Sequence, residues 1–277
     1  MPSWMVCPLP RHNSGALQAA FNAHSILKVS PQMLKHLHIA ALIFAFASPA
    51  LAGSGLVEPT LKMEGLNTQR KGAPIRVAIT LDACMGKTDF RILDTLVNEK
   101  IPATIFVTGR WLKHNPDALA ILLAHPDLFE IENHGENHMP AVDIPVSIYG
   151  IAAAGSEPAV IQEVEGGKQA IVAATGHQPH WFRGATAKYT QSSMVTINQL
   201  GERVAGYSVN GDGGSLLGAA ETTKHIASAR DGDVVIAHIN QPTHEAGEGV
   251  VKGLLALKAK GVAFTRLDDP AFHLPSN

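Results

Sequence analysis

Ala78–Gly86 reads AITLDACMG. The apolar, β-branched run up to Leu81 is that of a strand, and it ends on a carboxylate, Asp82. The thiol of Cys84 follows two residues later. An Asp that closes a strand is by itself an ordinary turn residue. What this one means depends on what stands at the ends of the other strands.

Outward from this stretch the pattern alternates. Strand-like runs recur at Arg76–Leu81, Ala103–Val107, Phe129–Glu132, Trp181–Arg183, Val204–Val209, Val234–Ala237 and Ala263–Thr265. Helical segments separate most of them. Asp89–Lys100 carries Phe90, Leu93, Leu96 and Val97 at helical spacing and stops before Pro102. Pro116–His125 opens with proline in the first turn, behind Asn115 as a cap. Glu157–Thr175, Gln191–Leu200, Thr222–Ala229 and Glu248–Lys260 complete the series. Strands alternating with helices predict an α/β fold with a parallel sheet inside and helices outside. A (β/α)7-type barrel is the first expectation, and a doubly wound open sheet is the alternative. Both place function at the carboxyl ends of the strands.

The chain has 277 residues, and its first part reads differently from the rest. Residues 33–52, MLKHLHIAALIFAFASPALA, order a basic opening, an apolar run from Leu37 to Ala47, a break at Pro49 and an Ala50-Leu51-Ala52 cleavage site. That is the order of a signal peptide. The apolar run falls short of the roughly 20 residues of a bilayer span. Residues 1–32 then form an upstream extension outside the fold, 53–74 an extended lead-in, and 75–277 the main folded domain. Cleavage removes Arg11, Lys28 and Lys35 and no acid, leaving 19 basic against 24 acidic residues and a net charge of −5. With no basic patch and interleaved aromatics, a nucleic-acid partner is not expected. No integral span is expected after cleavage, no obligate protein partner is evident, and the product is exported, periplasmic or secreted. Cys7 is lost with the leader, so Cys84 has no partner for an internal disulfide.

Residues able to move protons or bind metal recur at the strand ends. Asp82 closes the first strand. IENHGENH (131–138) puts His134 and His138 just past the third, Arg183 ends the fourth, Asp212 follows the fifth in YSVNGDGG (207–214), and His238 ends the sixth in VVIAHINQP (234–242). Histidines four apart share one face of a helical turn and can share a metal. Asn133 and Asn137 flank them and could orient a ring. The order of Gly135 and Glu136 excludes HExxH. His238 is either a core histidine or a general acid. Arg183 near Asp82 would hold that carboxylate ionised.

This set resembles the NodB-homology polysaccharide deacetylases, carbohydrate esterase family 4, over roughly Arg76 to Leu267. The resemblance implies a distorted (β/α) barrel, a divalent metal (usually zinc) and removal of N-acetyl groups from an N-acetylated glycan with release of acetate. The family's Thr-Phe-Asp-Asp reads Thr80-Leu81-Asp82-Ala83 here, followed by Cys84. It implies Asp82 as general base, His134 and His138 as metal ligands and Arg183 from FRGATAKY. The backbone near Thr186 would donate to an oxyanion, and His238 of Ile236-Ala237-His238 would be the general acid. Two positions depart from the family. Ala83 stands where the third ligand, an Asp, is usual. The Asp-x-x-Asp-Trp motif keeps only Asp212, which would support His238. Strand alternation turns Cys84 toward the side of Asp82 and away from Ala83, either as a substitute ligand or as a thiol packing the barrel mouth. A metal-dependent amidase on another amide, a silent glycan-binding protein of the same fold and a Cys84 thiol enzyme are the competing functions. Trp181 and Tyr189, near Arg183, are the aromatics at hand for stacking on a sugar.

Overall fold

The computed structural model describes residues 55–63 and 74–269. The upstream extension and the signal peptide expected at 1–52 lie outside these residues, as do 53–54 and 64–73 of the lead-in.

The elements follow in the order β1 (Arg76–Ala83), α1 (Phe90–Asn98), β2 (Ala103–Val107), α2 (Gly109–His114), α3 (Pro116–Ala124), β3 (Phe129–Asn133), β4 (Ser147–Ile148) and β5 (Ile151–Ala152). Then come α4 (Glu157–Thr175), β6 (Trp181–Phe182), a 3₁₀ turn at Ala185–Ala187, α5 (Gln191–Gln199), β7 (Arg203–Val204), β8 (Val209–Asn210), α6 (Ala219–Ala227), β9 (Val234–His238), α7 (Glu245–Ala259) and β10 (Ala263–Thr265). Eight strands form one sheet in the order β7-β6-β3-β2-β1-β9-β8, with β10 paired to β1, and every ladder in it is parallel.

β1 is central and buried on both faces, as parallel strands are. Val77, Ile79, Leu81 and Ala83 join the main apolar cluster, which includes Ile92, Leu93 and Leu96 of α1 and Val250, Leu254 and Leu257 of α7. Ala78, on the other face, packs with Phe106, Trp181, Ala205 and Val234 in a second cluster inside the curl of the sheet. Asp82 shares that inner face by alternation. α1 begins at Asp89, whose side chain accepts the Arg91 N–H at 3.1 Å, the capping bond that a helix start requires.

Topology decides between the two expected architectures. The edges of the sheet, β7 and β8, are separated by only Ala205–Ser208. Five Cα steps reach at most about 18 Å, whereas the edges of a flat seven-strand path would stand about 29 Å apart. The sheet must therefore curl, and it forms an incomplete barrel. The expected single strand Val204–Val209 is thereby corrected to two short strands on opposite edges. The lead-in crosses at this seam. Val57 bridges Tyr189, Lys62 bridges Asp233, and the Tyr207 N–H donates to the Pro59 carbonyl at 3.3 Å. Gly206 sits so close beneath this crossing that a Cβ would lie 2.1 Å from the Pro59 oxygen.

Other expectations change in detail. Asn115 stands at the N-cap of α3, where its carbonyl accepts the Leu119 N–H at 3.0 Å, but its side chain makes no capping bond. Its Oδ1 accepts the Thr88 N–H at 2.9 Å and its Nδ2 donates to the Gly86 and Trp111 carbonyls, pinning the loop after β1. Phe90 is exposed, and Ile92 takes its place in the buried face of α1. α2 and the β4–β5 hairpin were not expected. The first has only six residues, too few for a periodic signal. The second turns through Tyr149 and Gly150, both at positive φ, where a hairpin ordinarily shows Asn-Gly or Asp-Gly. No helix among the described residues is long and apolar enough to cross a membrane.

Candidate active site

The strand ends converge. Asp82 stands opposite His238 in the β1–β9 ladder and opposite Phe106 in the β1–β2 ladder. Arg183, fully buried just past β6, donates from Nη1 to Asp82 Oδ1 at 2.9 Å. The same nitrogen reaches Thr80 Oγ1 at 2.9 Å, Nε reaches the Ala205 carbonyl at 3.3 Å and Nη2 the Gly206 carbonyl at 3.0 Å. The guanidinium also lies 4.3 Å from the Phe106 ring centroid. Burial pushes the Asp82 pKa up, but Arg183, His134 and His238 more than offset it, and the carboxyl is held below its ordinary value.

His134 and His138 do not share a helical turn. They sit on an irregular loop in which Gly135 has φ +86° and His138 φ +63°, values no right-handed helix accepts. The loop still brings the rings together, with centroids 5.0 Å apart. His134 Nδ1 faces the Arg183 carbonyl, so the Nδ1 hydrogen is donated there and Nε2 keeps its lone pair. Nε2 lies 3.5 Å from Cys84 Sγ and 3.9 Å from Asp82 Oδ2. Burial lowers the His134 pKa, yet Asp82 and Cys84 raise it on balance. Donor atoms of Cys84, His134 and His138 all lie within 4.8 Å of one another, a set able to hold a metal ion. Burial raises the Cys84 pKa, but the neighbouring His134, His138 and His238 bring it well below the usual thiol range.

On the other side, the Asp212 carboxylate accepts the His238 backbone N–H at 2.7 Å and faces His238 Nδ1 at 3.0 Å. Burial alone would lower the His238 pKa. Asp212 chiefly, and Cys84 next, raise it well above the ordinary value. With Nδ1 taken up by Asp212, Nε2 is the ring nitrogen left to face Cys84 and the site. Thr186 follows Arg183 in the 3₁₀ turn at φ +69°, rare for a residue with a Cβ, and its buried hydroxyl has no hydrogen-bond partner among the described residues.

The flanking asparagines have other tasks. Asn133 Oδ1 accepts the Gly135 N–H and its Nδ2 donates to the Val164 carbonyl and to Glu202, while Asn137 Oδ1 accepts from Arg110. Trp181 and Tyr189 are buried and present no face to a sugar; the Tyr189 hydroxyl accepts the Gly184 N–H at 2.7 Å instead. Sequence reasoning missed Glu163 of α4, whose carboxylate accepts the Asn137 and Met139 N–H groups at 3.0 Å and so clamps the loop on both sides of His138.

Comparison with known proteins bears on the fold that carries this arrangement. The family described as polysaccharide deacetylase matches residues 69–205, a span that includes Asp82, His134, His138 and Arg183 and stops before Asp212 and His238. No curated protein matches the chain. Among solved structures, the peptidoglycan deacetylase PdaC from Bacillus subtilis superposes with a TM-score of 0.58 at 18% identity, covering 71% of this chain and 90% of that one. PdaA from Bacillus subtilis, a family 4 carbohydrate esterase, gives 0.58 at 19% identity over 76% and 83%. A CE4 family pseudoenzyme from Bacillus anthracis gives 0.56 at 19% identity over 71% of this chain and 65% of that one, just under two thirds of its length. The fold is thus that of the family 4 carbohydrate esterases. Residues 69–205 belong to the polysaccharide deacetylase family.

Proposed function

We propose that the protein is a metal-dependent hydrolase that removes N-acetyl groups from an N-acetylated polysaccharide or oligosaccharide, releasing acetate. One observation carries this reading. A carboxylate held ionised by an arginine and a histidine paired with an aspartate flank a cluster of two imidazoles and a thiol at the same end of the barrel. His134 and His138 would hold the divalent cation, usually zinc in the family it resembles, and when bound it would polarise the acetamide carbonyl and acidify water. Asp82 takes the proton of the attacking water. Arg183 keeps Asp82 ionised and aimed. The backbone near Thr186 would donate toward the oxyanion. His238 donates its Nε2 proton to the departing amine while Asp212 holds its other nitrogen. Export to the periplasm or medium, inferred from residues 33–52, would bring the enzyme to such a glycan.

Acetate release from N-acetylglucosamine oligomers and from peptidoglycan tests the proposal. The chain should release acetate from one of them, and a chelator should abolish it. Asp82→Asn and His238→Gln should each lower kcat by about 10²–10⁴-fold with little change in KM. The rate should follow a bell in pH, its acid limb set by Asp82 and its alkaline limb by His238. Glycan binding with no acetate released would favour the silent binder instead, a reading that Ala83 and the pseudoenzyme neighbour support. Acetate from non-sugar amides alone would favour an amidase.

A further inference from the structure

We propose that the Cys84 thiolate is the third protein ligand of this metal site, so that a Cys-His-His set replaces the carboxylate that Ala83 does not supply. The inference rests on the metal-dependent reading above and goes beyond it by naming a sulfur ligand and the metal class that sulfur selects.

Three observations carry it. First, Ala83 packs in the apolar cluster between sheet and helices and has no donor to offer. Cys84, one residue on, turns its sulfur to the side where Asp82 and His134 stand. Second, the donor atoms are prepared. His134 gives its Nδ1 hydrogen to the Arg183 carbonyl and presents the Nε2 lone pair toward the sulfur, the outer-partner arrangement typical of metal-binding histidines. Third, the spacing is right. A tetrahedral zinc ion with Zn–N near 2.05 Å and Zn–S near 2.3 Å sets its nitrogen and sulfur ligands about 3.5 Å apart. Sγ and Nε2 are 3.5 Å apart here, and His138 completes the trio within 4.8 Å. His138 is only half-buried, so solvent reaches this cluster, as a catalytic metal site needs and a closed structural site does not.

Sulfur changes which metal the site takes. A thiolate with two imidazoles suits zinc or cobalt and disfavours magnesium, calcium and manganese, which prefer oxygen. A sulfur ligand is also open to alkylation whenever the metal is absent.

The test is cobalt(II) and zinc titration of the metal-free full chain beside Cys84→Ser and His134→Ala. The unsubstituted chain should bind cobalt with a near-ultraviolet thiolate-to-cobalt charge-transfer band, which Cys84→Ser should lack. Its zinc affinity should fall by more than the roughly 10–100-fold that losing an outer partner of a ligand costs. Zinc, and not magnesium, should slow alkylation of Cys84 by iodoacetamide in the unsubstituted chain, located by peptide mapping so that Cys7 is read separately. That second measurement needs no variant to fold. Cobalt bound without the charge-transfer band, or Cys84 alkylated equally fast with and without zinc, would overturn the sulfur ligand and leave the histidine site standing. A chain that binds neither cobalt nor zinc would overturn the metal reading itself.

Discussion

At Arg183 four guanidinium N–H bonds are committed to Thr80, Asp82, Ala205 and Gly206, with the Phe106 ring beneath and no surface exposed. A buried ion pair of this kind holds geometry more than it adds stability, but removing one partner leaves the other charge stranded. Lysine is no substitute, because a point charge cannot serve a planar fork of acceptors. Arg183→Lys should therefore leave the Ala205 and Gly206 carbonyls short of donors and let Asp82 tilt. Stability should drop by about 1–3 kcal/mol in urea titration, in line with orphaned buried polar groups. Arg183→Met, which strands the Asp82 charge, should cost about 3–5 kcal/mol. In both variants kcat for acetate release should fall more than stability at the assay temperature explains. A Lys variant with wild-type turnover would show that Asp82 needs no fork to act.

α4 acts on the site through one residue. Glu163 reaches from the helix into the loop after β3 and binds the N–H groups on either side of His138, which holds that histidine at an otherwise unfavourable φ of +63°. Glu163→Ala should release the loop and weaken zinc binding by about 10–100-fold. Glu163→Gln, which keeps one acceptor oxygen, should lose less. Isothermal titration with zinc distinguishes this from simple destabilisation, because a purely structural role would lower Tm and leave the affinity of the folded fraction unchanged. The contrast between His138 and Glu163 also explains what the sequence made legible. Parallel strands buried on both faces read as apolar runs, so Asp82, Arg183 and His238 stood out where those runs ended. Alternation was enough to put Cys84 on the side of Asp82. The four-residue spacing flagged the histidine pair, but a helical turn was the wrong reason, since Gly135 and the clamp from Glu163 shape the loop. Glu163 is separated from Asn137 by 26 residues and Glu202 from Asn133 by 69. A carboxylate in a helix or turn reads as solvated surface, and only tertiary packing buries it. For the same reason Trp181 and Tyr189 read as sugar platforms and prove to be core.

At the scale of the whole molecule, several carboxyl groups are buried away from Asp82 and Asp212. Glu130 and Glu132 share the inner face of β3, and burial first, then the neighbouring acids, pushes both pKa values up, that of Glu132 to about 10. Glu202, buried beside Asn133 and 3.6 Å from Lys168, is pushed up to about 7, mainly by burial and against the pull of Asn133 and Lys168. A carboxyl whose folded pKa lies above its unfolded value binds more protons folded than unfolded. Its stabilising effect is complete below the unfolded value of 4.5 and is lost as pH rises through the folded value. Asp82 and Asp233, with lowered values, act in the opposite sense, and their contribution is lost only as pH falls below the ordinary Asp range. Stability should thus be greatest at weakly acidic pH and decline toward neutrality. Between pH 5 and 8 Glu202 alone should account for a fall of about 2–3 kcal/mol. Glu202→Gln should flatten that part of the profile, because the amide keeps an acceptor for Asn133 and leaves Lys168 paired with Glu165 and the Leu200 carbonyl. Urea titrations at half-unit pH intervals would read the effect. The variant should be more stable than the parent at pH 8 and no more stable at pH 5, whereas parallel profiles would mean that Glu202 ionises in the fold without cost.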